Sequence, residues 1–332
     1  MKKKMALVMM VVMMVFGLIT GCGSKNDTIT IGISQFADHP SLDNCREGFL
    51  AGLAQAGYVE GENLTIIYEN AQTDMGTAST IAEGFVAQKV DMICGIATPS
   101  AMTAYNSCME TEIPVIYSAI SDPIGSSLAN ADGTSVGNIT GTSDALPVSL
   151  QLEMIRTLLP DAKKIGIIYT TSETNSVSTL AEYEKYASEF GFEIVSTGIS
   201  QISEVELAAA DMVAKVDCIT NLTDNTVVSA LQTVLAVAET KNIPVFGSEI
   251  EQVKSGCVAS MGLEYYELGK QTGLMAAKVL SGEVTASNLP FEVIKGASLY
   301  VNTAAAEKIG MELSEDFLSG ASEVFTETIV NN

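Results

Sequence analysis

The chain has 332 residues, 47% of them apolar, which is enough for two domains with real cores rather than one. Asp and Glu number 40 against 17 Lys and Arg, a net charge of −23 that repels phosphate backbones and argues against a nucleic-acid partner. With two arginines (Arg46 and Arg156), one histidine (His39) and no tryptophan, the chain has little for a guanidinium clamp, a histidine-based metal site or a multi-histidine catalytic centre.

The first elements in chain order belong to export. "MKKK" is a basic start, Met5 to Leu18 is an apolar run, and "ITGC" closes it. Residues 1–21 read as a signal peptide, too short and too abruptly ended for a spanning helix. Ile19, Thr20, Gly21 and Cys22 resemble a bacterial lipobox, which makes Cys22 the residue to be lipidated. Residues 22–27, containing "GSKND", are then a polar tether. The expected location is the extracytoplasmic face of the cell membrane, held by acyl chains rather than by a helix. An ordinary signal peptide with an incidental Cys is the weaker alternative. Five cysteines follow Cys22, with no Cys-x-x-Cys among them. Cys94 and Cys218 fall inside apolar strand patterns, where a small buried hydrophobe is the expected role and a disulfide framework has no support.

From Thr28 onward strand and helix patterns alternate. "TITIGIS" (28–34) is a strand, and 41–56 is a helix with Leu42, Cys45, Phe49, Leu50 and Leu53 on one face. "NLTIIYENA" is the second strand and 75–88 its helix. "VDMICGIA" is the third strand, with helix 99–110. "PVIYSAI" is the fourth, and "NITGTS" follows. The pattern then restarts: helix 147–159, strand "KIGIIYT" (164–170), helix 175–190, strand "FEIVSTG", helix 203–214, strand "DCITNL", helix 225–240 and strand "PVFGS". A long helix over 264–281, the short strands "FEVI" and "SLYVN", and a helix from Thr303 complete the chain. Such alternation predicts parallel sheets covered by helices on both faces, one sheet per half.

Several units are written twice. "VDMICGIATPSAM" (90–102) matches "VDCITNLTDNTVV" (216–228), and "IPVIYSAISDP" matches "IPVFGSEIEQ". In open sheets of this kind, ligands sit beyond the carboxyl ends of the strands, where helices begin. The polar loops fall at those points: "SQFADH", "ATPS" and "SAISDP" in one half, "TSETNS", "LTDNT" and "GSEI" in the other.

The run "IGISQFADHPSLDNCREGFLAGLAQAGYVEGENLTIIYENAQTD" resembles the start of a bacterial ABC-transporter substrate-binding lipoprotein family that includes tryptophan- and other aromatic-amino-acid-binding members. "VDMICGIATPSA", "AISDPIGSSL", "GNITGTSD", "TDNTVVSAL" and "YYELGKQTGLMAAKVLSGE" resemble its later segments, in order, over about 28–310. The resemblance implies a type I periplasmic-binding-protein fold: two Rossmann-like lobes with parallel sheets, three crossovers and an interlobe cleft. By that analogy lobe one is 28–144 plus 262–284, and lobe two is 145–261 plus 285–332. It also implies delivery of ligand to a membrane permease powered by a separate ATPase; this chain has no Walker loop of its own.

The candidate ligand residues lie in the doubled loops. In "ATPS", Thr98 suits a cap, Pro99 a first helical position, and Ser100 the first turn, an arrangement that favours a carboxylate and equally describes a well-capped helix. Asp224, beside Thr223 and Asn225, is placed either to receive a ligand ammonium or to stabilise a helix start. Ser121 and Asp122 offer the same choice. Glu173, Asn175, Ser248 and Glu249 face the cleft by position. Thr142 and Ser143, with Asp144, mark the first crossover, where hinge and ligand roles compete. On the first loop, Gln35 and His39 suit hydrogen bonding. Phe36, with Tyr169 from the other half, suits either an aromatic ligand or the edge of a core.

Acidic groups beside neutral hydroxyls suit a zwitterion, hence an amino acid; the aromatic class comes from the resemblance alone. No cofactor or metal is called for, and no His or Cys constellation supports catalysis. The alternatives are a sugar- or nucleoside-binding protein of the same fold, and a membrane-tethered ligand sensor.

Overall fold

The computed structural model describes residues 28–294 and 296–329; the signal segment and Cys22 lie outside the described residues. The first half runs β1 (Ile29–Gln35), α1 (Pro40–Gln55), β2 (Leu64–Asn70), α2 (Met75–Gln88), β3 (Met92–Ile96), α3 (Thr98–Cys108), β4 (Val115–Ser118) and β5 (Ile139–Ser143). The second runs α4 (Val148–Leu158), β6 (Lys164–Thr170), α5 (Thr174–Tyr186), β7 (Glu193–Ile199), α6 (Val205–Met212), β8 (Cys218–Thr220), α7 (Asn225–Ser229), α8 (Leu231–Glu239), β9 (Val245–Phe246), α9 (Ile250–Lys254) and β10 (Ala259–Gly262). The rest comprises α10 (Tyr265–Leu280), β11 (Glu292–Val293), β12 (Ser298–Asn302), α11 (Thr303–Lys308), α12 (Glu315–Ser319) and β13 (Glu323–Phe325).

One sheet has the order β11-β5-β4-β3-β1-β2, parallel throughout. Ile33 of β1 lies opposite Tyr68 of β2 and Cys94 of β3. β3, "MICGI", is buried along its whole length, as a parallel strand covered on both faces must be. The second sheet, β7-β6-β8-β9, is also parallel. β10 flanks it through Val258 N–H to Val245 O, and pairs antiparallel with β12, which carries β13. Each sheet has a core on either face: Ile31, Phe49, Leu53 and Met275 against Phe85, Ile93 and Tyr117 in the first lobe, and Ile219, Val234 and Val253 against Ile165, Tyr183 and Phe246 in the second. The five cysteines after Cys22 are buried and free, as expected for Cys94 and Cys218.

The chain passes between the lobes three times: after β5, before α10, and between β11 and β12. One boundary differs from expectation. The 285–332 tail was assigned whole to lobe two, yet Glu292 and Val293 of β11 pair with Thr142 and Ser143 of β5. The edge of β5 is open, and a two-residue strand satisfies its backbone groups before the chain crosses. The expected helix 225–240 is broken at Ala230, whose φ of −108° separates α7 from α8.

Two helices far apart in sequence lock the first lobe. A Cβ on Gly48 of α1 would lie 1.9 Å from the Tyr266 carbonyl oxygen, and one on Gly269 of α10 would lie 1.9 Å from that of Cys45. Gly52 and Gly273 repeat the approach one turn on. Each helical glycine costs about 1 kcal/mol in propensity; here it lets two backbones touch. Both helices start at the cleft.

Candidate functional site

The loops beyond the carboxyl ends of the two parallel sheets meet. Ser121 Oγ lies 2.8 Å from Thr223 Oγ1, and Asn44 Nδ2 donates to Glu251 Oε1 at 2.9 Å, so hydrogen bonds join the lobes across the cleft. Between them lies a cavity of about 20 Å³, room for little more than one water molecule and far below the roughly 300–1,000 Å³ usual for an open small-molecule site. The first lobe lines it with His39, Ser41, Leu42, Ala119, Asp144 and Tyr265. The second supplies Asn175, Thr223, Asn225, Val228, Glu249 and Gln252. Ala119, at the end of β4, holds a φ of 61°, and Ala97, at the end of β3, a φ of 75°. Left-handed backbone at two alanines is strain placed where a binding loop must turn sharply.

Four carboxylates are buried at this edge: Asp144, Glu173, Asp224 and Glu249. Asp224 caps α7. Its Oδ1 accepts from Val227 N and Thr170 Oγ1, and its Oδ2 from Thr170 N and Ser176 Oγ. Both oxygens are occupied, so the structure gives Asp224 the helix-start role and leaves it no acceptor for a ligand ammonium. Position in sequence does not separate these roles, because an acid at a helix start looks the same in both. Glu173 is equally engaged: Oε1 accepts from Thr226 N and Oγ1, and Oε2 from Asn225 N and from the side-chain amides of Asn225 and Asn175. Burial, with Asp224 beside it, pushes the Glu173 pKa above the usual carboxylate range. Glu249 caps α9 through Glu251 N and Gln252 N, and burial raises its pKa to about 7.

Asp144 is different. Its Oδ2 accepts from the Tyr265 hydroxyl, while Oδ1 is buried with no partner. Burial raises its pKa and the Tyr265 and Ser121 hydroxyls oppose the shift; burial and the Asp144 charge raise the Tyr265 pKa well above the usual phenol value. Oδ1 of Asn175 also lacks a partner, and the His39 ring nitrogens have none of good geometry, with the Asn225 side chain their nearest polar neighbour. Burial lowers the His39 pKa to about 4, so the imidazole is neutral at pH 7. An unpaired buried polar group costs about 1–3 kcal/mol. A set that converges on one cavity is arranged for something that enters it.

Of the expected residues, His39, Asn175, Thr223, Asn225 and Glu249 line the cavity. The others lie behind it or elsewhere. Gln35 is held by Ala37 O, Asp43 and Arg46, and Phe36 is in the first-lobe core. The "ATPS" loop departs from expectation: Ala97, not Thr98, is the cap residue, because the positive φ turns the chain one residue earlier. Thr98 Oγ1 is therefore buried without a partner, Pro99 is buried, and Ser100 Oγ meets Ser34. Ser121 bridges the lobes, and Asp122 closes a turn on Gly125 N. Thr142 joins Ser118 and Thr272 in a buried hydroxyl cluster; Ser143 accepts from Ala145 N. Tyr169 packs at the edge of the second-lobe core, and Ser248 Oγ accepts from Gln252 Nε2. The sequence does not point to Ser41, Leu42, Ala119, Val228, Gln252 or Tyr265, and at Asp144 it leaves hinge and ligand roles in competition; the structure puts Asp144 on the cavity wall. The signal for Tyr265 is the "YYELG" segment, which the sequence places in the long helix and in the family resemblance but not at the site. Among the described residues no cluster of His, Cys, Asp or Glu is arranged for a metal ion, and no helix is long and apolar enough to cross a membrane.

The family described as "ABC transporter substrate binding protein" matches residues 30–325. A tyrosine-binding protein of Clostridioides difficile is 40% identical over 287 residues, covering 86% of this chain and 82% of the relative. A Streptococcus pneumoniae structure in complex with L-Trp is 32% identical with a TM-score of 0.86, covering 90% of this chain and all of its own. A ligand-free, open structure of a substrate-binding protein with adhesive properties from Clostridium difficile is 37% identical, with the same coverage and a TM-score of 0.67.

Proposed function

The chain belongs to the ABC transporter substrate-binding protein family, and on that premise we propose that the cleft around this small cavity, when the lobes part, admits a free aromatic amino acid. The family is one of ligand capture and delivery, not of catalysis. The observation that carries the ligand class is the free Oδ1 of Asp144, a buried acceptor held in place by the Tyr265 hydroxyl. An ammonium group supplies what it lacks. The neutral His39 ring and Ser41, at the start of the 16-residue α1, offer donors beside a helix N-terminus for a carboxylate. Leu42, Val228 and the Tyr265 ring supply apolar wall. The tyrosine-binding relative and the L-Trp-bound neighbour support an aromatic side chain there.

Binding is by closure of the two lobes. The chain superposes better on the L-Trp-bound neighbour than on the more similar open one, at equal coverage. That contrast supports a closed arrangement here, with contacts such as Ser121–Thr223 made across the shut cleft. A ligand touching both lobes biases the protein toward that state. The closed protein would then dock on a permease served by a separate ATPase. The "ITGC" motif supports a lipid anchor on Cys22; intact-mass analysis of membrane-extracted protein should find Cys22 acylated, and an unmodified chain would remove the anchor.

Calorimetry and thermal shift with the twenty amino acids test the ligand. L-Tyr, L-Trp or L-Phe should bind and raise the melting temperature. A response to a sugar or nucleoside, with none to any amino acid, would reject the reading.

A further inference from the structure

Asn175 and Asn225 line the cavity from the second lobe, and both turn their side-chain amide toward one carboxylate that does not. Asn175 Nδ2 donates to Glu173 Oε2 at 3.1 Å and Asn225 Nδ2 at 2.6 Å. Glu173 is 2% exposed and also accepts from the backbone N–H groups of Asn225 and Thr226, each at 3.0 Å. Those N–H groups cannot be reversed, and one faces each carboxyl oxygen, so both oxygens serve as acceptors. Each amide must therefore present its NH₂ to Glu173 and turn its carbonyl away, that of Asn225 toward the His39 ring across the cavity. Asn175 has a second restraint, Nδ2 to Thr223 O at 2.9 Å, and its Oδ1 is buried without a partner. For Asn225, Glu173 is the one acceptor of Nδ2 among the described residues.

We propose that Glu173 is a positioning residue that fixes which edge of the Asn225 and Asn175 amides faces the cavity, making the second lobe an acceptor surface selective for a ligand amino group. This rests on the amino-acid reading above and extends it: the first lobe holds the charge of the ammonium at Asp144, and the second takes its remaining donors. A free amide has no such preference, because rotation about its last bond exchanges donor for acceptor at little cost. Glu173 removes that ambiguity without touching the ligand.

The test compares L-tyrosine with 3-(4-hydroxyphenyl)propanoate, the same molecule without its amino group. In Glu173→Ala the preference for L-tyrosine should fall at least tenfold, because Asn225 is free to turn its NH₂ inward. Adding Asn225→Asp should restore most of the preference, since an aspartate presents an acceptor whichever way it turns. If Glu173 merely caps α7, both ligands weaken by the same factor and the second substitution recovers nothing; either result overturns the proposal. Should Glu173→Ala not fold, Glu173→Gln, with a single acceptor edge for the same donors, gives the same comparison with a smaller fall expected and an unchanged ratio overturning. Side-chain ¹⁵N resonances of the ligand-free protein separate this proposal from the ligand reading. The Asn225 amide should shift and exchange faster in the Glu173 variant whatever the ligand proves to be, and an unchanged resonance refutes the positioning role. Failure of every aromatic amino acid to bind wild type would reject the ligand reading instead.

Discussion

Glu173, Asp224 and Glu249 of the second lobe each engage both carboxylate oxygens with donors of their own lobe, whereas Asp144 of the first lobe engages one and leaves the other open. All four are buried at the same edge. What separates them is the geometry of the chain beneath. The second-lobe acids sit in or beside the first turn of a helix, where free N–H groups consume them. Asp144 follows a strand, with its backbone N–H bonded to Ile120 O and no helix start within reach until α4. The same chemical group is a structural anchor in one lobe and the proposed ligand acceptor in the other.

The contrast breaks most sharply at Asp144. Asp144→Asn should weaken amino-acid binding about 100-fold, or about 3 kcal/mol, the upper range for a hydrogen bond to a charged group. The melting temperature of the ligand-free protein should hardly change. Calorimetry that finds affinity unaltered removes Asp144 from the site. Asp224→Asn should do the reverse. It sets an NH₂ group against two of the four donors, and stability should drop by about 1–3 kcal/mol in denaturant titration, with a smaller effect on affinity than Asp144→Asn. Loss of binding at full stability would return Asp224 to the ligand.

The smallest effect is on pH. The Glu249 pKa is raised to about 7 and that of Glu173 is raised as well, so the folded protein keeps protons that the unfolded chain releases near 4.5. The stability these groups contribute is full below 4.5 and is lost as pH rises through 7. His39, lowered from 6.5 to about 4, has the opposite sign: its contribution is full above 6.5 and lost as pH falls toward 4. The two carboxyls outweigh the histidine, so stability should fall from pH 5 to 7.5. Glu249→Gln should flatten it and His39→Gln should steepen its acid end. Thermal unfolding that rises with pH, and ignores Glu249→Gln, contradicts the assignment.

The fold was legible because apolar strands and amphipathic helices alternate without interruption, and the lobes announce themselves in "VDMICGIA" and "VDCITNL". The short α9, α12, β10 and β13 were not, since five residues or fewer carry no period to read. The site was legible only in part. Asn175, Thr223, Asn225 and Glu249 are found by asking which loops end parallel strands. Tyr265 is not, because it reaches Asp144 from 121 residues away. Nor does sequence separate Asp224 from Asp144, because the difference is whether backbone donors lie within hydrogen-bond reach.

The glycine contact between α1 and α10 also sets the order in which the molecule can be completed. Gly48 and Gly52 meet partners that are more than 200 residues later in the chain, and the edge of β5 waits for Glu292 and Val293. The second lobe waits in turn for β12 and β13. A chain made from its amino end therefore has neither half finished until almost all of it has been synthesised, and the lobe written first is among the last to close. Loop closures of that length are slow and costly before they are rewarded. Under the export expected from the "MKKK" start and the apolar run after it, such delay keeps the chain unfolded during its own synthesis.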